Sequence, residues 1–451
     1  MPTTRRQFLN YVLIGGSMIL GNIGCRKATK PRKKAENSRS TVYRCINGAP
    51  NQNLSKLVEL MGGMDTLIGP NDVVLIKPNV QWWNQGSTNL SALKTLVELI
   101  MERAGGFHGE VVVAENIHRG AMPPWESEDS GWVRRFARNS DAEDIRNMNE
   151  LCDCLKRRFG KRFSVCHLID VACGWPRVSG PASGTGYVYC DGTDGVPLLS
   201  CDNGCQRVDH RETIMTYPIM RTDRGTIIDF KNGVWEDGAY TGRPVKFINF
   251  ASLNHHSRYC GATSAVKNYL GVADMSGGHD PHNGGKLTKE YYNFHAFSFD
   301  EWKPGPAPGM IGAEVGTFMR SVRKADLNII AAEWVGLASR VDLPVAHTKA
   351  MLASTDPVAL DYHAFKYILF PNSRVPVHNP DHNKSPVSQY LGKCAEQGGG
   401  VLDEQYVRVV SYDFGLKRIQ RDDELSILGE KEWGGNPKLV LRYLALRHLM
   451  S

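Results

Sequence analysis

Short runs of apolar residues alternate with helical patterns along the first part of the chain. Residues 73–76 and 111–114 contain no polar position, which is typical of strands buried on both faces of a parallel sheet. Between them, apolar residues recur at helical spacing over residues 88–104, and two glycines follow as a stop signal. This β-α-β order predicts a right-handed crossover and a parallel sheet.

Three later apolar runs extend the same pattern. Residues 245–250, 329–332 and 351–353 each have the length and composition of a buried strand. Further on, residues 388–397 predict a helix, and residues 436–450 predict another that either docks on the domain or faces a partner. Together the patterns predict an α/β fold with a mostly parallel sheet flanked by helices.

Segment 118–213 interrupts this pattern and is predicted to be a Cys- and Gly-rich loop insertion. Seven of the 11 cysteines lie in it, at spacings unlike those of zinc ribbons or ferredoxins: Cys152, Cys154, Cys166, Cys173, Cys190, Cys201 and Cys205. The predicted organisation is then a leader (residues 1–40), a core divided by the insertion (41–117 and 214–416) and an extension with a helix (417–451).

The basic residues are concentrated at the N-terminus. Residues 1–34 carry eight basic side chains and no acidic one, and without them the 54 basic residues become 46, against 47 acidic. The body of the chain is therefore near neutral, which gives no support for a nucleic-acid partner. Arg5 and Arg6, followed by an apolar stretch at 11–23, are typical of a twin-arginine export signal. The stretch is shorter than the ~20 residues that span a membrane.

Export to the periplasm has two consequences for the cysteines. Gly24 before Cys25 matches the end of a lipoprotein signal, so the signal or a lipid on Cys25 is the predicted membrane contact. In an exported protein, disulfides are the default expectation for the cysteines of the insertion, and a metal cluster is the alternative.

Polar residues follow most of the predicted strands. They are Lys77, Asn79, Glu115, Asn116, His255, His256, Glu333 and Asp356. Because the carboxyl ends of parallel strands meet at one edge, where ligands bind, we expect these side chains to form one site. Lys267 and Asn268 should join them, since residues 261–264 open a helix whose first N–H groups would face an anion. Asp356, followed by Pro357, also has the pattern of a helix N-cap.

Histidines make a metal site an open alternative. His279 and His282 could bind one divalent ion with His255 or His256, because imidazole suits zinc, iron, copper or nickel, and the predicted ligands are His255, His279 and His282. The cysteine spacings argue against an iron–sulfur cluster.

Three ordered motifs resemble the domain-of-unknown-function-362 family. They are residues 74–79, 265–271 and 353–361, and the resemblance covers roughly residues 42–370. It implies an α/β domain without a settled reaction. The family commonly has Lys-x-His before its central motif, whereas here Asn254 replaces the lysine and His256 keeps the histidine. Many relatives also carry ferredoxin-like cysteine clusters, which this chain lacks.

The sequence contains no Gly-x-Ser-x-Gly, Walker or His-Glu-x-x-His motif, so serine hydrolysis, nucleotide hydrolysis and zincin proteolysis have no support. We expect an exported enzyme that acts on a small anionic substrate. Its predicted catalytic residues are His256, Lys77, Lys267 and Asp356, and its predicted substrate contacts are Asn79, Glu115, Asn268 and Glu333. The lysines would supply positive charge and His256 would act as acid or base. The alternative is a non-catalytic ligand-binding or redox-accessory protein that uses the same cleft.

Overall fold

The computed structural model describes residues 40–116, 126–142, 144–190, 192, 194–197, 199–200, 212–213, 215–257, 260–275, 309–421 and 426–448. The export signal and Cys25 lie outside these residues. Among the residues that are described, none forms a helix long and apolar enough to cross a membrane.

The described strands are β1 Ser40–Ile46, β2 Val73–Lys77, β3 Glu110–Asn116, β4 Phe163–Leu168, β5 Gly186–Tyr189, β6 Leu199–Ser200, β7 Glu212–Thr213, β8 Thr216–Arg221, β9 Ile227–Asp229, β10 Gly233–Glu236, β11 Ala239–Tyr240, β12 Val245–His255, β13 Ala262–Thr263, β14 Leu327–Gly336, β15 Val345–Ser354, β16 Val407–Asp413, β17 Arg418–Arg421 and β18 Glu430–Glu432. The α-helices are α1 Pro50–Leu60, α2 Met64–Leu67, α3 Leu90–Met101, α4 Met148–Phe159, α5 Ala265–Asn268, α6 Gly309–Ser321, α7 Pro357–Ala364, α8 Phe370–Ser373, α9 Pro386–Glu396 and α10 Pro437–His448.

Eleven strands form the main sheet, in the order β17-β16-β1-β15-β14-β12-β2-β3-β4, with β13 paired to β12 and β18 to β15. The strands from β4 to β14 in this order are parallel to their neighbours, whereas β15 is antiparallel to β14. The predicted α/β class with a mostly parallel sheet is therefore confirmed. We call the edge where β2, β3, β4, β12 and β14 end the carboxyl edge.

Hydrophobic cores lie on both faces of this sheet. Along β2, Val73 and Leu75 pack into one core while Val74 and Ile76 pack into the other, as the pleat requires. Helices α1, α3 and α4 cover the second face, and α5, α6, α7 and α9 cover the first together with a smaller antiparallel sheet, β11-β10-β9-β8-β5. Burial on both faces explains why the runs 73–76 and 111–114 contain no polar position before β2 and β3 reach the carboxyl edge.

Segment 118–213 is not simply a loop insertion. It supplies α4, which begins after the N-cap Asn147, and β4, which pairs in parallel with β3 in the main sheet. Apolar residues at helical spacing, from Met148 to Phe159, bury one face of α4 against the core. The cysteine and glycine content of the segment led to the loop prediction, although the segment also contains an ordinary helix followed by a strand.

The expected disulfides are absent from the described residues. Eight cysteines are described there and none forms a disulfide: Cys45, Cys152, Cys154, Cys166, Cys173, Cys190, Cys260 and Cys394. Most are buried as small apolar side chains, and burial raises the pKa of Cys166 to about 12. Cys201 and Cys205 lie outside the described residues. The disulfide prediction is therefore wrong for the five insertion cysteines that the structure describes.

Candidate functional site

A small polar pocket lies at the carboxyl edge. Six of the residues expected to form the site line it, namely Lys77, Asn79, Glu115, Asn116, Lys267 and Asn268. The other lining residues are Gln81, Trp82, Thr263, Leu270, Gly271, Met275 and Arg340. Its cavity volume is about 50 Å³, enough for a few water molecules or for one phosphate or carboxylate group.

Lys77, the last residue of β2, is the buried centre of the pocket wall. Its ammonium group donates to Glu115 Oε1 at 2.8 Å, to Asn268 Oδ1 at 2.7 Å and to the Pro78 carbonyl at 2.6 Å. These three bonds use all three protons of the ammonium group. Burial lowers the pKa of Lys77, and the charge of Glu115 offsets part of that effect.

Both carboxylate oxygens of Glu115 also accept hydrogen bonds within the protein. Its second oxygen, Oε2, accepts the backbone N–H of Val80 at 2.6 Å, and the side chain is only 3% exposed. The carboxylate therefore joins the end of β3 to the loop after β2. Within the pair, its negative charge neutralises Lys77.

Gly271 allows the wall to close around this pair. A Cβ atom at this position would lie 2.3 Å from Lys77 Cε and 3.2 Å from Glu115 Oε1. Any larger residue would displace the ammonium group from its three acceptors. The Asn-Tyr-Leu-Gly sequence thus places a glycine where the backbone approaches a buried charge.

A chain of hydrogen-bonded asparagines leads from the pocket wall into the sheet. Asn268 Nδ2 donates to Asn249 Oδ1 at 2.7 Å, and Asn249 Nδ2 donates to Asn328 Oδ1 at 2.9 Å. The chain connects α5, β12 and β14 and is fully buried. Since an unsatisfied buried amide costs roughly 1–3 kcal/mol, such a chain fixes the orientation of each member.

Asp361 holds the start of helix α5. Its two carboxylate oxygens accept the backbone N–H groups of Ala265 and Val266 at 2.8 and 2.9 Å. The sequence predicted that these N–H groups would face an anionic ligand, but a carboxylate of the protein occupies them. Burial raises the pKa of Asp361 to about 7, although both N–H bonds act in the opposite direction.

Lys267 and Arg340 give the pocket its positive charge. Burial lowers the pKa of Lys267 to about 8, and the charges of Arg340 and Lys77 add to this effect. Glu115 is the one carboxylate among the described lining residues, and Lys77 already neutralises it. Cationic side chains therefore outnumber carboxylates among the described lining residues, which favours an anionic ligand.

His256 lies beside this pocket and contacts Arg340. The distance from Arg340 Nη1 to His256 Nε2 is 3.3 Å, and the guanidinium group stacks over Trp82 at 4.4 Å from the ring centroid. Because arginine can only donate, Nε2 accepts and this bond favours the tautomer protonated on Nδ1. His256 thus helps to fix the guanidinium group, and is only 8% exposed.

His255 points into a different environment. Its Nδ1 lies 2.9 Å from His378 Nε2, and His378 Nδ1 lies 2.7 Å from Ser373 Oγ. Burial keeps the pKa of His255 well below its ordinary value, and the same cause lowers the pKa of His378 to about 3. His255 and His256 therefore have different partners, since adjacent residues at a strand end face opposite sides, and neither lines the pocket.

His279 and His282, the remaining predicted metal ligands, lie outside the described residues. In the part of the chain that the structure describes, no group of three or more His, Cys, Asp or Glu side chains could hold a metal ion.

Asp356 does not lie at the carboxyl edge. Strand β15 runs antiparallel to β14, so its end reaches the opposite edge of the sheet. There Asp356 caps α7 by accepting the N–H groups of Val358 and Ala359, and its other oxygen accepts Ser40 Oγ and the Val401 N–H. The site prediction for Asp356 is wrong, and the N-cap interpretation is correct.

Glu333 lies within β14, short of its end, and does not line the pocket. Its Oε1 is 2.8 Å from His347 Nε2, whose ring stacks on Trp334 at a centroid distance of 3.9 Å. Burial raises the pKa of Glu333, and the bond to His347 offsets part of the effect. The predicted substrate contact is therefore replaced by a pairing within the sheet.

Arg340 is the main pocket residue that the sequence analysis missed. Strand β14 extends to Gly336, four residues past the apolar run that predicted it, and a bulge at Ala332–Trp334 carries it on. The true end of the strand is followed by Arg340, whereas the predicted end was followed by Glu333. The apolar Val335 and Leu337 were the available signal that the strand continued.

Comparisons of the chain with protein-family models, with curated proteins and with solved structures find no match.

Proposed function

We propose that the pocket binds a small anionic ligand and that the protein is an enzyme acting on it. One observation carries the proposal: three cations, Lys77, Lys267 and Arg340, line the cavity, and Glu115 is the one carboxylate among its described lining residues. A lining in which positive side chains outnumber negative ones attracts anionic ligands. The cavity volume suits one phosphate, sulfate or carboxylate group.

The residues would divide the work as follows. Arg340, held by His256 and by the Trp82 ring, would bind the anion through its paired N–H donors. Lys267 would exchange a proton with the ligand, since a pKa of about 8 leaves roughly one molecule in ten unprotonated at pH 7. Lys77 would act as a positioning residue, because its three protons are already donated within the protein.

A non-catalytic ligand-binding protein is the second candidate. The saturated bonds of Lys77 and Glu115 favour it, because they make the wall a rigid cradle with fixed charges. A redox-accessory role belongs to the same candidate. A divalent metal that uses His279 and His282 stays a prediction, as does membership of the domain-of-unknown-function-362 family.

The first experiment measures binding of inorganic phosphate, sulfate and oxalate by calorimetry at pH 7. We expect Lys267→Met to weaken binding at least tenfold, and Arg340→Gln to weaken it as much. Lys384→Met is the matched control, because that lysine is exposed and does not line the pocket. Equal affinity in wild type and Lys267→Met for every probe anion would refute the proposed site.

Turnover separates the two candidates. A set of small phosphates and carboxylates is incubated with the protein and products are followed by NMR. For an enzyme, the wild type should form product, and Lys267→Met should form none even at ligand concentrations that saturate the variant, because Lys267 is the proposed proton-transfer group. Binding without product in the wild type would favour the non-catalytic protein.

We also propose export by the twin-arginine route, with a lipid on Cys25 as the possible anchor. Replacing Arg5 and Arg6 together with lysine should leave the protein in the cytoplasm, as cell fractionation can measure. Unchanged export would contradict the proposed route and would leave the pocket proposal untouched.

A further inference from the structure

Helix α10 presents an apolar strip to solvent. Of its 12 residues only Tyr443 is buried, and its hydroxyl donates to the Ser373 carbonyl at 2.7 Å. On the opposite face, Leu441 is 64% exposed and Leu444 is 40% exposed. Residues three and four apart share a helix face, so Leu441, Leu444 and Ala445 form one continuous strip.

Cations flank this strip. Helix α10 carries Lys438, Arg442 and Arg447 and no acidic residue. At 100° per residue, Lys438 and Arg442 lie on one side of the strip and Arg447 on the other.

Two further cations approach from the rest of the domain. Burial is the largest cause of the lowered pKa of Lys431, and the positive charges of Arg447 and Arg374 lower it further. These three side chains therefore lie close together. None of the five cations of this patch forms an ion pair within the described ranges: Arg374, Lys431, Lys438, Arg442 and Arg447.

The segment before the helix also exposes apolar side chains. Trp433 is 41% exposed and packs edge-on against Tyr443 with ring centroids 5.2 Å apart. Leu428, in the loop before β18, is 66% exposed. We call these residues, with α10 and its five cations, the C-terminal patch.

We propose that the C-terminal patch docks on an anionic lipid bilayer surface. A helix that lies at such a surface buries leucines among the acyl chains and places lysines and arginines beside the headgroups. Tryptophan also prefers the boundary between headgroups and hydrocarbon. The patch combines all three features, and the buried Tyr443 fixes the helix to the domain with its leucine strip exposed.

Other occupants fit the patch less well. A symmetric dimer through the patch would bring its five cations against the same five of a second copy, which repel. A nucleic acid would pair with the cations and leave Leu441 and Leu444 in water. Only an anionic lipid surface offers both negative charge and an apolar layer beneath it.

The test uses the full chain and vesicles of phosphatidylcholine, with or without 30% phosphatidylglycerol. We expect the triple variant Lys438→Gln, Arg442→Gln, Arg447→Gln to bind anionic vesicles about 100-fold less tightly at low salt, since each cation near the surface contributes about a fivefold factor. The double variant Leu441→Ser, Leu444→Ser should weaken binding about tenfold.

Matched controls come from exposed residues elsewhere. Lys384→Gln, Lys417→Gln and Arg418→Gln remove three cations, and Leu416→Ser with Ile419→Ser removes two leucine-sized exposed side chains. Both control variants should bind as the wild type does. Equal loss in the control and patch variants would show a non-specific charge effect and overturn the proposal.

A second measurement remains decisive if the N-terminal leader also binds lipid. Hydrogen–deuterium exchange of peptides covering residues 431–448 is compared with and without anionic vesicles. Exchange at least tenfold slower on the vesicles is expected, and unchanged exchange overturns the proposal. Protection by a DNA duplex, or loss of self-association in the leucine double variant, would overturn it in favour of a nucleic acid or a second copy.

Discussion

The protein holds two groups of cations in opposite ways. In the pocket, Lys77 and Lys267 are buried, and the bonds of Lys77 to Glu115 and Asn268 are 2.8 Å or shorter. In the C-terminal patch, Arg442 and Arg447 are exposed and have no described acidic partner. A buried cation interacts with a ligand at one fixed position. Exposed cations act together through an electrostatic field that dissolved salt screens.

This difference predicts what each region can recognise. Fixed donors around a cavity select a ligand by size and geometry, since a misplaced atom leaves a buried group unpaired. Exposed lysines and arginines adapt to any anionic surface and discriminate little between its components. Single substitutions should therefore have large effects in the pocket and small, additive effects in the patch.

The largest expected effect comes from breaking the buried pair. Lys77→Met leaves Glu115 buried without its cation, and we expect the free energy of unfolding to fall by about 3–5 kcal/mol. Urea denaturation at pH 7 measures it. Adding Glu115→Gln should recover about half of the loss, because Gln keeps an acceptor for the Val80 N–H. A loss no greater than that of the exposed control Lys393→Met, about 0.5 kcal/mol, would contradict the contrast between the two regions.

A second prediction concerns the close approach at Gly271. Gly271→Ala forces the Lys77 ammonium group from its acceptors, so we expect the free energy of unfolding to fall by about 1–3 kcal/mol, with loss of phosphate or oxalate binding. Gly392→Ala is the control, because a Cβ atom there meets nothing within 4 Å in helix α9. That variant should be as stable as wild type or about 1 kcal/mol more stable. Similar behaviour of the two variants would contradict the packing argument.

A third prediction uses the lowered pKa of Lys267. An anion binds the ammonium form, so its affinity should be constant below about pH 7 and fall up to tenfold per pH unit above about pH 8. In Lys267→Met the affinity should be weaker and independent of pH in this range. The folded-state pKa lies below the value of 10.5 for an unperturbed lysine. The unfolded chain therefore binds more protons between about pH 8 and 10.5, and stability should rise with pH there. Calorimetry from pH 6 to 9 tests the binding part.

The smallest expected effect is a single change in the patch. Arg442→Gln should leave the free energy of unfolding within about 0.5 kcal/mol of wild type, because the side chain has no described acidic partner. It should weaken binding to anionic vesicles about fivefold at low salt, and this difference should shrink as salt is raised. Phosphate binding in the pocket should not change. A salt-independent loss in the patch would mean that Arg442 makes a specific buried contact.

Part of the site follows from local sequence rules. Lys77 and Glu115 lie at the ends of two consecutive strands joined by a helix, and such strands are commonly parallel neighbours. Their meeting at the carboxyl edge could be read from the apolar runs alone. The motif that holds Lys267 and Asn268 adjoins the same strands, and those residues also line the pocket.

Asp356 shows where this reasoning fails. Placing the end of β14 at Ala332 and the start of β15 at Met351 left enough residues for a crossover to a parallel strand. The true ends, Gly336 and Val345, leave eight residues between them. A parallel connection needs about a dozen or more, so β15 must turn back and be antiparallel. An error of a few residues in each strand end therefore moved Asp356 to the wrong edge.

The sequence by itself determined the α/β class, the parallel centre of the sheet and the pairing of its first two strand ends, because burial on both faces and short crossovers are local constraints. Only the tertiary structure decided that Arg340 reaches the pocket, that Asp361 occupies the first N–H groups of α5, and that His255 and His256 face different surroundings. These contacts join residues that are 84 to 123 positions apart in the chain. Their geometry depends on bulges and strand ends that packing sets and no short window of sequence specifies.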